Sequence, residues 1–328
     1  MKPIICCVTE NRPSWFTKVL NLVLSVRAFG GAASDAEIVV CVVETCDPGF
    51  RSSLQRLGAQ VRVVQPVDDV IRYANKLRMF ELQDIDYDVL LALDCDTIVV
   101  GDPSPFLNGD ALRLKPVDRN YLSDDQWTRV YRAAGLGMPA KTYLSTSDGD
   151  QIPPYFNSGV VIVPARDAAR LADLWRRYVF EIKDVYERDR DIAVWRRFND
   201  QFALSCAVLE GGFGVDPLPI SMNFPTHVRI HPSMMGSLSE VAIIHYHSDL
   251  DEDGFVLASR FGGLNEHIDR FNRERSETLG IPYAGLHAPP MMVRVRRQLS
   301  DQRWFNSQPV ERAKQDIQRL LVAAGWRT

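Results

Sequence analysis

The sequence has no apolar run long enough to cross a membrane. The longer runs, such as residues 38–43, end after a few positions, whereas a spanning helix needs about 20 apolar residues. The apolar stretch at residues 4–8 is also too short for the core of a signal peptide. We therefore expect a cytoplasmic protein, with attachment to the inner membrane surface only if the C-terminal segment provides it.

Cysteine pairs and an excess of positive charge are also missing. The six cysteines are Cys6, Cys7, Cys41, Cys46, Cys95 and Cys206. They lie mostly in apolar runs and lack the paired spacing of a zinc site, so we interpret them as buried thiols. With 38 basic against 42 acidic residues, the net charge of -4 disfavours nucleic acid as a partner. The 46% hydrophobic content supplies a core and excludes disorder as the main state.

Short apolar runs alternate with helix-spaced segments through the first hundred residues. The pattern predicts buried strands at residues 3–8, 37–43, 61–64 and 89–93, and helices at residues 14–29, 48–57 and 73–82. Strands that are apolar on both faces and are separated by helices indicate an α/β fold. We expect a mostly parallel central sheet flanked by helices.

The pattern changes beyond residue 102. Residues 103–116 are rich in turn formers, and residues 139–154 read as a long polar loop. Further helices are predicted at residues 123–134, 168–186 and 199–208, and further strands at residues 160–163 and 241–246. We interpret the chain as a single large domain with a C-terminal helical extension. Its parts are a nucleotide-binding half at 1–102, a half at 103–255 that contacts the acceptor and completes a metal site, and the extension at 256–328.

The C-terminal segment from Met291 onward has eight basic side chains and three acidic ones. Trp304, Phe305 and Trp326 are interleaved with this charge. A basic segment with aromatic residues suits peripheral contact with an anionic membrane surface. The alternative is a C-terminal helix that packs on the body of the protein.

One Asp-x-Asp pair differs in context from the others in the chain, such as Asp84 and Asp86. Asp94 and Asp96 stand between apolar runs at residues 89–93 and 98–100, which places them at the carboxyl end of a buried strand, where α/β sheets bind ligands. Buried carboxylates need a positive partner, and a divalent cation held together with substrate phosphates would supply it. The alternative is that the two residues cap the following turn.

A second acidic cluster, at residues 249–254, opens like a calcium-binding EF-hand loop. The twelfth position of such a loop should be a bidentate Glu. Here it is Arg260, so we interpret the cluster as a solvated acidic turn.

Several motifs resemble the GT-A glycosyltransferases, and most closely the retaining family that contains glycogenin and the bacterial lipooligosaccharide galactosyltransferases. Residues 75–82 and 87–97 resemble that family's DxD region, and residues 155–160, Tyr-Phe-Asn-Ser-Gly-Val, resemble its F-N-S/A-G-V motif. The remaining matches follow in the family's order and are Asp200-Gln201, Leu218-Pro219 with Asn223, and His245-Tyr246. The resemblance extends across residues 1–250 and implies the GT-A fold.

The resemblance implies a metal-dependent transferase that moves a hexose from a nucleotide sugar, with UDP as the expected nucleotide and with retention of configuration. The acceptor would be a saccharide, a lipid-linked molecule or another small molecule. Mn²⁺, or Mg²⁺, would be held by Asp94, Asp96 and His245. Because side chains alternate along a strand, we expect His247 to face away from His245. A hydrogen-bonded core residue is the alternative for His245.

The resemblance also implies which residues contact the donor. Thr9, Glu10 and Asn11 would meet the base and ribose, Lys76 and Arg78 the diphosphate, and Asn157, Ser158 and Gly159 the sugar. Asp200 and Gln201 would be catalytic, Asp200 through the hydroxyls of the donor sugar and Gln201 opposite the reacting carbon. The alternative for Asp200 is a helix N-cap, and for Lys76 and Arg78 a place on an exposed helix surface.

One motif of the family is missing. After the late His the family has G-x-x-K-P-W, whose Lys contacts the donor phosphates, whereas this chain has His247-Ser248-Asp249-Leu250. A catalytically degenerate GT-A protein that binds a sugar nucleotide or a partner is therefore the alternative function. A sugar-phosphate nucleotidyltransferase is disfavoured, because residues 9–14 contain no glycine and that class has a Gly-rich loop after its first strand.

Overall fold

The computed structural model describes residues 1–69, 71–302 and 307–323. The strands are β1 (Pro3–Glu10), β2 (Glu37–Val43), β3 (Ala59–Val64), β4 (Val89–Leu93), β5 (Thr97–Val99), β6 (Leu112–Pro116), β7 (Tyr143–Leu144), β8 (Gln151–Ile152), β9 (Phe156–Pro164), β10 (Val215–Pro217), β11 (Phe224–Pro225) and β12 (Ile243–His245). The α-helices are α1 (Pro13–Phe29), α2 (Pro48–Arg56), α3 (Asp124–Ala133), α4 (Ala165–Arg188), α5 (Arg190–Ala193), α6 (Asn199–Gly211), α7 (Asn265–Leu279), α8 (Met291–Ser300) and α9 (Gln308–Ala323).

The central sheet has seven strands in the order β10-β6-β9-β4-β1-β2-β3. The pairs β1–β2, β1–β4, β2–β3 and β6–β10 are parallel, and β9 runs antiparallel to both of its neighbours. The prediction of a mostly parallel sheet is thus confirmed. Parallel strands end at one edge of a sheet, so the residues after β1, β2 and β4 lie side by side.

Helices cover both faces of this sheet, as the apolar strands predicted. In β4, Leu90 and Ala92 face a core cluster shared with α3, α4 and α6, whereas Leu91 and Leu93 face a second cluster shared with α1 and α2. Burial on both faces explains why β4 reads as an uninterrupted apolar run.

A second, three-stranded sheet has the order β11-β12-β5. β12 pairs antiparallel with β5, and the register places His245 opposite Thr97. The backbone N–H of Tyr246 donates to the carbonyl of Asp96 at 3.1 Å. This small sheet therefore brings the end of β12 to the Asp94–Asp96 turn.

Several elements differ from the sequence-based expectations. The segment predicted as a helix at 73–82 is a 3₁₀ helix, Arg72–Phe80. Asn75 accepts a hydrogen bond from the N–H of Val67, and Arg78 donates to the carbonyl of Gln65, which ties the segment to the preceding loop. The turn-rich region 103–116 contains β6, and the predicted loop at 139–154 contains the hairpin β7–β8. β10 and β11 were not predicted, because strands of two or three residues carry no periodic signal.

The C-terminal extension is helical, and its described part packs on the body. The guanidinium of Arg297 in α8 is 4% exposed and pairs with the buried Asp249 at 2.7 Å. Trp304, Phe305 and Trp326, on which the prediction of membrane contact depends, lie outside the described residues. In the described part of the chain, no helix combines the length and the apolar character that crossing a membrane requires.

Candidate functional site

A cavity of about 820 Å³ opens at the carboxyl ends of β1, β2 and β4. Its lining includes Thr9, Glu10, Arg12, Trp15, Tyr73, Lys76, Asp94, Asp96, Lys183, Tyr186, Arg196 and Arg197. Tyr73 and Lys76 both face the cavity because residues three apart share one face of a 3₁₀ helix. The opposite wall is built from the C-terminal end of α4 and the 3₁₀ segment Arg196–Phe198.

Lys76 joins Asp94 to Asp200. Its Nζ atom lies 2.9 Å from both carboxylate oxygens of Asp94 and 3.2 Å from Oδ2 of Asp200. Ser158 accepts a hydrogen bond from Lys76 at 2.9 Å and donates one to Asp200 at 2.6 Å. Burial disfavours the ammonium form of Lys76, but the two carboxylates raise its pKa above the ordinary value. Four predicted site residues are therefore brought together in one charged cluster.

The N-cap alternative for Asp200 is wrong. α6 begins at Asn199, and the residue before it, Phe198, makes no side-chain cap. Asp200 lies in the first turn of the helix, and its carboxylate pairs with Lys76 and Ser158.

Asp96 faces a different set of partners. Its Oδ1 lies 3.1 Å from Nε2 of His245, and its Oδ2 lies 3.4 Å from Nζ of Lys18. Burial alone would raise the pKa of Asp96, but His245 and Lys18 hold that pKa well below its ordinary range. For Asp94, burial raises the pKa in spite of the opposing effect of Lys76. The two carboxylates of the motif thus differ in their electrostatic surroundings.

A chain of hydrogen bonds fixes the orientation of His245. The N–H of Gly159 donates to Oδ1 of Asn157 at 2.8 Å, so the atom of Asn223 that lies 2.9 Å from the same oxygen must be its Nδ2. The Oδ1 atom of Asn223 then faces Nδ1 of His245 at 3.1 Å, which must donate to it. The proton of a neutral ring is therefore on Nδ1, and Nε2 presents a lone pair.

This orientation leaves two acceptors facing each other, Nε2 of His245 and Oδ1 of Asp96, at 3.1 Å. Such a contact needs either a second proton on the imidazole or a cation beside both atoms. An imidazole and a carboxylate suit transition-metal ions such as Mn²⁺, and the backing of a ligating His by a further hydrogen bond is typical of metal sites. The residues present therefore fit a divalent metal ion.

The prediction that His247 faces away from His245 is wrong. The ring of His247 stacks on that of His245 with centroids 3.9 Å apart and planes at 20°. The alternation of side chains holds only within a strand, and β12 ends at His245, while His247 has φ of 58°. Among the described residues, the ligand atoms of Asp96, His245 and His247 lie within 4.8 Å of one another.

His227 packs edge-on against His247, with centroids 4.0 Å apart and planes at 76°. Burial lowers the pKa of His247 well below its ordinary value and lowers the pKa of His227 to about 4. Both rings are therefore neutral at pH 7 and have a lone pair available.

Other predicted donor residues lie at or near the cavity. Thr9 and Glu10 line it, and Glu10 pairs with Arg12 at 3.0 Å and with Arg72 at 3.5 Å. Gly159 lies close to the His245 ring, because a Cβ added there would lie 2.7 Å from Cε1.

Three predicted residues belong neither to the cavity lining, nor to the charged cluster around Lys76, nor to the hydrogen-bond chain that holds His245. The amide of Asn11 bridges Thr45 and Asp47. Arg78 pairs with Glu81 at 2.6 Å. Gln201 lies in α6, one position after Asp200. Their roles stay predictions.

The interpretation of residues 249–254 as a solvated acidic turn is wrong for Asp249. Asp249 is 1% exposed and pairs with Arg297 of α8. α8 covers this carboxylate with Arg297, a partner 48 positions away that the local sequence pattern does not reveal.

Sequence reasoning did not identify Lys18 or the wall residues Tyr186, Arg196 and Arg197 as part of the site. Each of these residues lies in a helical segment, and the local sequence does not show which of its side chains face a cavity. The positions of Lys18 and Tyr186 depend on how α1 and α4 pack on the sheet, and those of Arg196 and Arg197 depend on where the 3₁₀ segment Arg196–Phe198 lies. A local pattern reveals neither.

Residues 5–212, more than half of the chain, match a family described as Rhodobacterales glycosyltransferase domain. Among solved structures, the chain is similar to the bifunctional glycosyltransferase WbbM in its apo form, with 13% identity over 81% of this chain and 49% of that chain and a TM-score of 0.47. It is also similar to the galactosyltransferase LgtC in complex with donor and acceptor sugar analogues, with 16% identity over 89% of this chain and 99% of that chain and a TM-score of 0.44. The chain thus spans about half the length of WbbM. No protein with a curated function matches the sequence.

Proposed function

The chain belongs to the Rhodobacterales glycosyltransferase domain family, and on that premise we propose that it moves a hexose from a nucleotide sugar to an acceptor hydroxyl with the help of a divalent cation. The expected nucleotide is UDP, and the expected outcome at the anomeric carbon is retention, both from the motif resemblance. The acceptor would be a saccharide, a lipid-linked molecule or another small molecule.

The observation that carries the metal dependence is the contact between His245 and Asp96. With Nδ1 of His245 committed to Asn223, the lone pair of Nε2 and a carboxylate oxygen are 3.1 Å apart. Asp96 and His245 would hold the ion, with Asp94 as the predicted third ligand. When bound, the ion would supply positive charge that stabilises the departing nucleoside diphosphate.

The chain's own residues would bind and orient the donor. The cavity is within the usual size of a small-molecule site, about 300–1,000 Å³. Thr9 and Glu10 offer a hydroxyl and a carboxylate to the base and ribose, and Trp15 and Tyr73 offer aromatic faces. Gly159 permits close approach of a sugar to the backbone.

Lys76 would position Asp200, one of the two predicted catalytic residues. Since its ammonium holds Asp94 and Asp200 in one cluster, it fixes Asp200 beside the predicted sugar site. We assign Asp200 to the hydroxyls of the donor sugar and Gln201 to the reacting carbon, as the motif resemblance implies.

The test is donor binding and turnover in the variant Asp94→Asn/Asp96→Asn. Isothermal titration calorimetry of UDP and UDP-hexoses should show binding to the wild type that depends on Mn²⁺. The double variant should lose that binding, together with hydrolysis of the donor. The matched control is Asp84→Asn/Asp86→Asn, which has the same spacing but alters exposed carboxylates. Equal binding and turnover in both double variants would reject the proposal.

Binding without catalysis is the second candidate function. It is favoured by the segment after His245, where the resembled family has a phosphate-binding Lys and this chain has Asp249, buried against Arg297. Mn²⁺-dependent binding of UDP with no hydrolysis, and with no transfer to a broad acceptor panel, would support this second function.

A further inference from the structure

His247 is placed to bind the same ion as Asp96 and His245. We propose that His247, in place of the Asp94 that the motif resemblance implies, is the third protein ligand beside Asp96 and His245, so that the site contains two imidazoles and one carboxylate. The proposal rests on the metal dependence proposed above, and it concerns which atoms hold the ion rather than which reaction follows.

The geometry of the three side chains supports a shared ion. Their ligand atoms all lie within 4.8 Å of one another, so one ion placed among them would be in reach of all three side chains. The two rings are stacked at 3.9 Å with planes at 20°, which places the imidazole of His247 directly beside that of His245. His227 packs against His247 at 4.0 Å and limits rotation of that ring.

The hydrogen-bond inventory of His247 also points to a ligand. Its Nε2 atom is buried and has no hydrogen-bond partner among the described residues. Leaving a buried polar atom unpaired is unfavourable, because the atom has lost its hydrogen bonds to water without gaining a replacement. Coordination of an ion would satisfy this atom, and a packing role alone would not.

Asp94, unlike His247, already has a partner for its ligand atoms. Both of its carboxylate oxygens lie 2.9 Å from Nζ of Lys76, and the same ammonium serves Asp200. The carboxylate of Asp94 is therefore already engaged in the charged cluster with Lys76 and Asp200. His247, in contrast, has a buried Nε2 atom with no hydrogen-bond partner among the described residues, and a ring nitrogen of His247 lies within 4.8 Å of the ligand atoms of Asp96 and His245.

The ligand set has a consequence for metal preference. Two imidazoles and one carboxylate suit Mn²⁺, Co²⁺ and Zn²⁺, whereas Mg²⁺ prefers oxygen ligands. We therefore expect the chain to have a much higher affinity for Mn²⁺ and Co²⁺ than for Mg²⁺.

The direct test is pulsed electron paramagnetic resonance of the wild-type chain loaded with Mn²⁺ alone, which counts the imidazole nitrogens coupled to the ion. Two imidazoles are expected in the wild type and one in His247→Ala. Calorimetry should show that His247→Ala weakens Mn²⁺ binding by about tenfold or more, with a smaller effect on Mg²⁺. The matched control is His287→Ala, since His287 also contacts a carboxylate, Asp251 at 2.7 Å, but is half exposed.

The outcomes separate this proposal from the proposed function. A single coupled imidazole in the wild type, or equal Mn²⁺ affinity in His247→Ala and the wild type, would overturn the role of His247 and leave metal-dependent transfer in place. A wild type that binds no Mn²⁺ would overturn both. The wild-type measurement needs no variant, so it holds even if His247→Ala does not fold.

Discussion

The Nε2 atom of His245 lies 3.1 Å from Oδ1 of Asp96, although the two residues are 149 positions apart in the chain. The small sheet brings them together by pairing β12 with β5, directly after the Asp94–Asp96 turn. Only three residue pairs join β12 to β5. The contact between His245 and Asp96 therefore also depends on the side chains that hold the imidazole of His245 in place. The first two predictions therefore concern those supports.

Asn223→Ala should weaken Mn²⁺ binding by about 10- to 100-fold, the usual effect of removing a partner of a ligating His. The variant removes the oxygen that fixes the proton on Nδ1 of His245. Calorimetry with Mn²⁺ measures the effect, and circular dichroism shows whether the fold is kept. An unchanged affinity in a folded variant would contradict the role assigned to Asn223.

Gly159→Ala should displace the His245 ring. An added Cβ would lie 2.7 Å from Cε1 and 3.0 Å from Nδ1 of that ring, so the imidazole must move. We expect a loss of stability of about 1–3 kcal/mol and weaker Mn²⁺ binding. Gly137→Ala is the matched control, because an added Cβ there meets nothing within 4 Å. Equal urea midpoints for the two variants would contradict the prediction, because they would show that the His245 ring moves aside at no cost in stability.

The local part of the site was predictable from sequence, and the assembled part was not. Asp94 and Asp96 were placed correctly because an apolar run that ends in carboxylates fixes a strand end without knowledge of any partner. The stacking of His247 on His245 escaped prediction because it depends on a residue with positive φ just after a strand. The residues that follow His245 do not show from their sequence alone that the strand ends there.

The same distinction applies to the fold. β4 and its helices were found because each buries a long apolar surface that the sequence shows directly. β5 and β11 have only two or three residues each and were not predicted as strands. The late strand that contains β12 was predicted, but its pairing with β5 and β11 is decided by distant parts of the chain. Lys18 illustrates the limit, since its contact with Asp96 follows from the packing of α1.

Lys76→Met should destabilise the protein by about 3–5 kcal/mol at neutral pH, the usual cost of leaving buried charges unpaired. The substitution removes the only ammonium that Asp94 and Asp200 are seen to share among the described residues. Urea unfolding measures the loss. Adding Asp200→Asn to Lys76→Met should recover part of it, and no recovery would contradict the shared pairing.

The loss in free energy of unfolding caused by Lys76→Met should also become smaller as the pH falls from about 8 to about 5. Burial raises the pKa of Asp94, and Lys76 opposes that rise. Without Lys76 the pKa of Asp94 in the folded state rises further above its unfolded value. The folded variant then binds protons more readily than the unfolded chain, so acid favours folding. A deficit that stays constant across this range would reject the explanation.

Lys18→Met should strengthen Mn²⁺ binding by several-fold. The ammonium of Lys18 lies 3.4 Å from Asp96 and repels a cation at the same carboxylate, an effect of roughly 1 kcal/mol for a partly exposed pair. Calorimetry of the metal alone is the measurement. Lys2→Met is the matched control, because Lys2 lies at the same distance, 3.4 Å, from Asp86 but is exposed. Weaker or equal Mn²⁺ binding in Lys18→Met would contradict the prediction.

Arg297→Met tests whether the C-terminal extension supports the segment that carries His247. The guanidinium of Arg297 donates to Oδ2 of Asp249 from two nitrogens, at 2.7 and 3.2 Å, and both side chains are almost fully buried. Removing it leaves a buried carboxylate, so we expect a loss of about 3–5 kcal/mol in urea unfolding. Arg296→Met is the matched control. Arg296 contacts the same carboxylate at 3.6 Å but is 55% exposed, so its loss should cost less than about 1 kcal/mol.

The decisive comparison adds Asp249→Asn to Arg297→Met. If the cost arises from the unpaired carboxylate, the double variant should be more stable than Arg297→Met alone. Weaker Mn²⁺ binding in Arg297→Met is also expected, because Asp249 follows His247 by two residues and holds that segment against α8. A double variant no more stable than Arg297→Met would mean that the arginine acts through packing of its aliphatic stem instead.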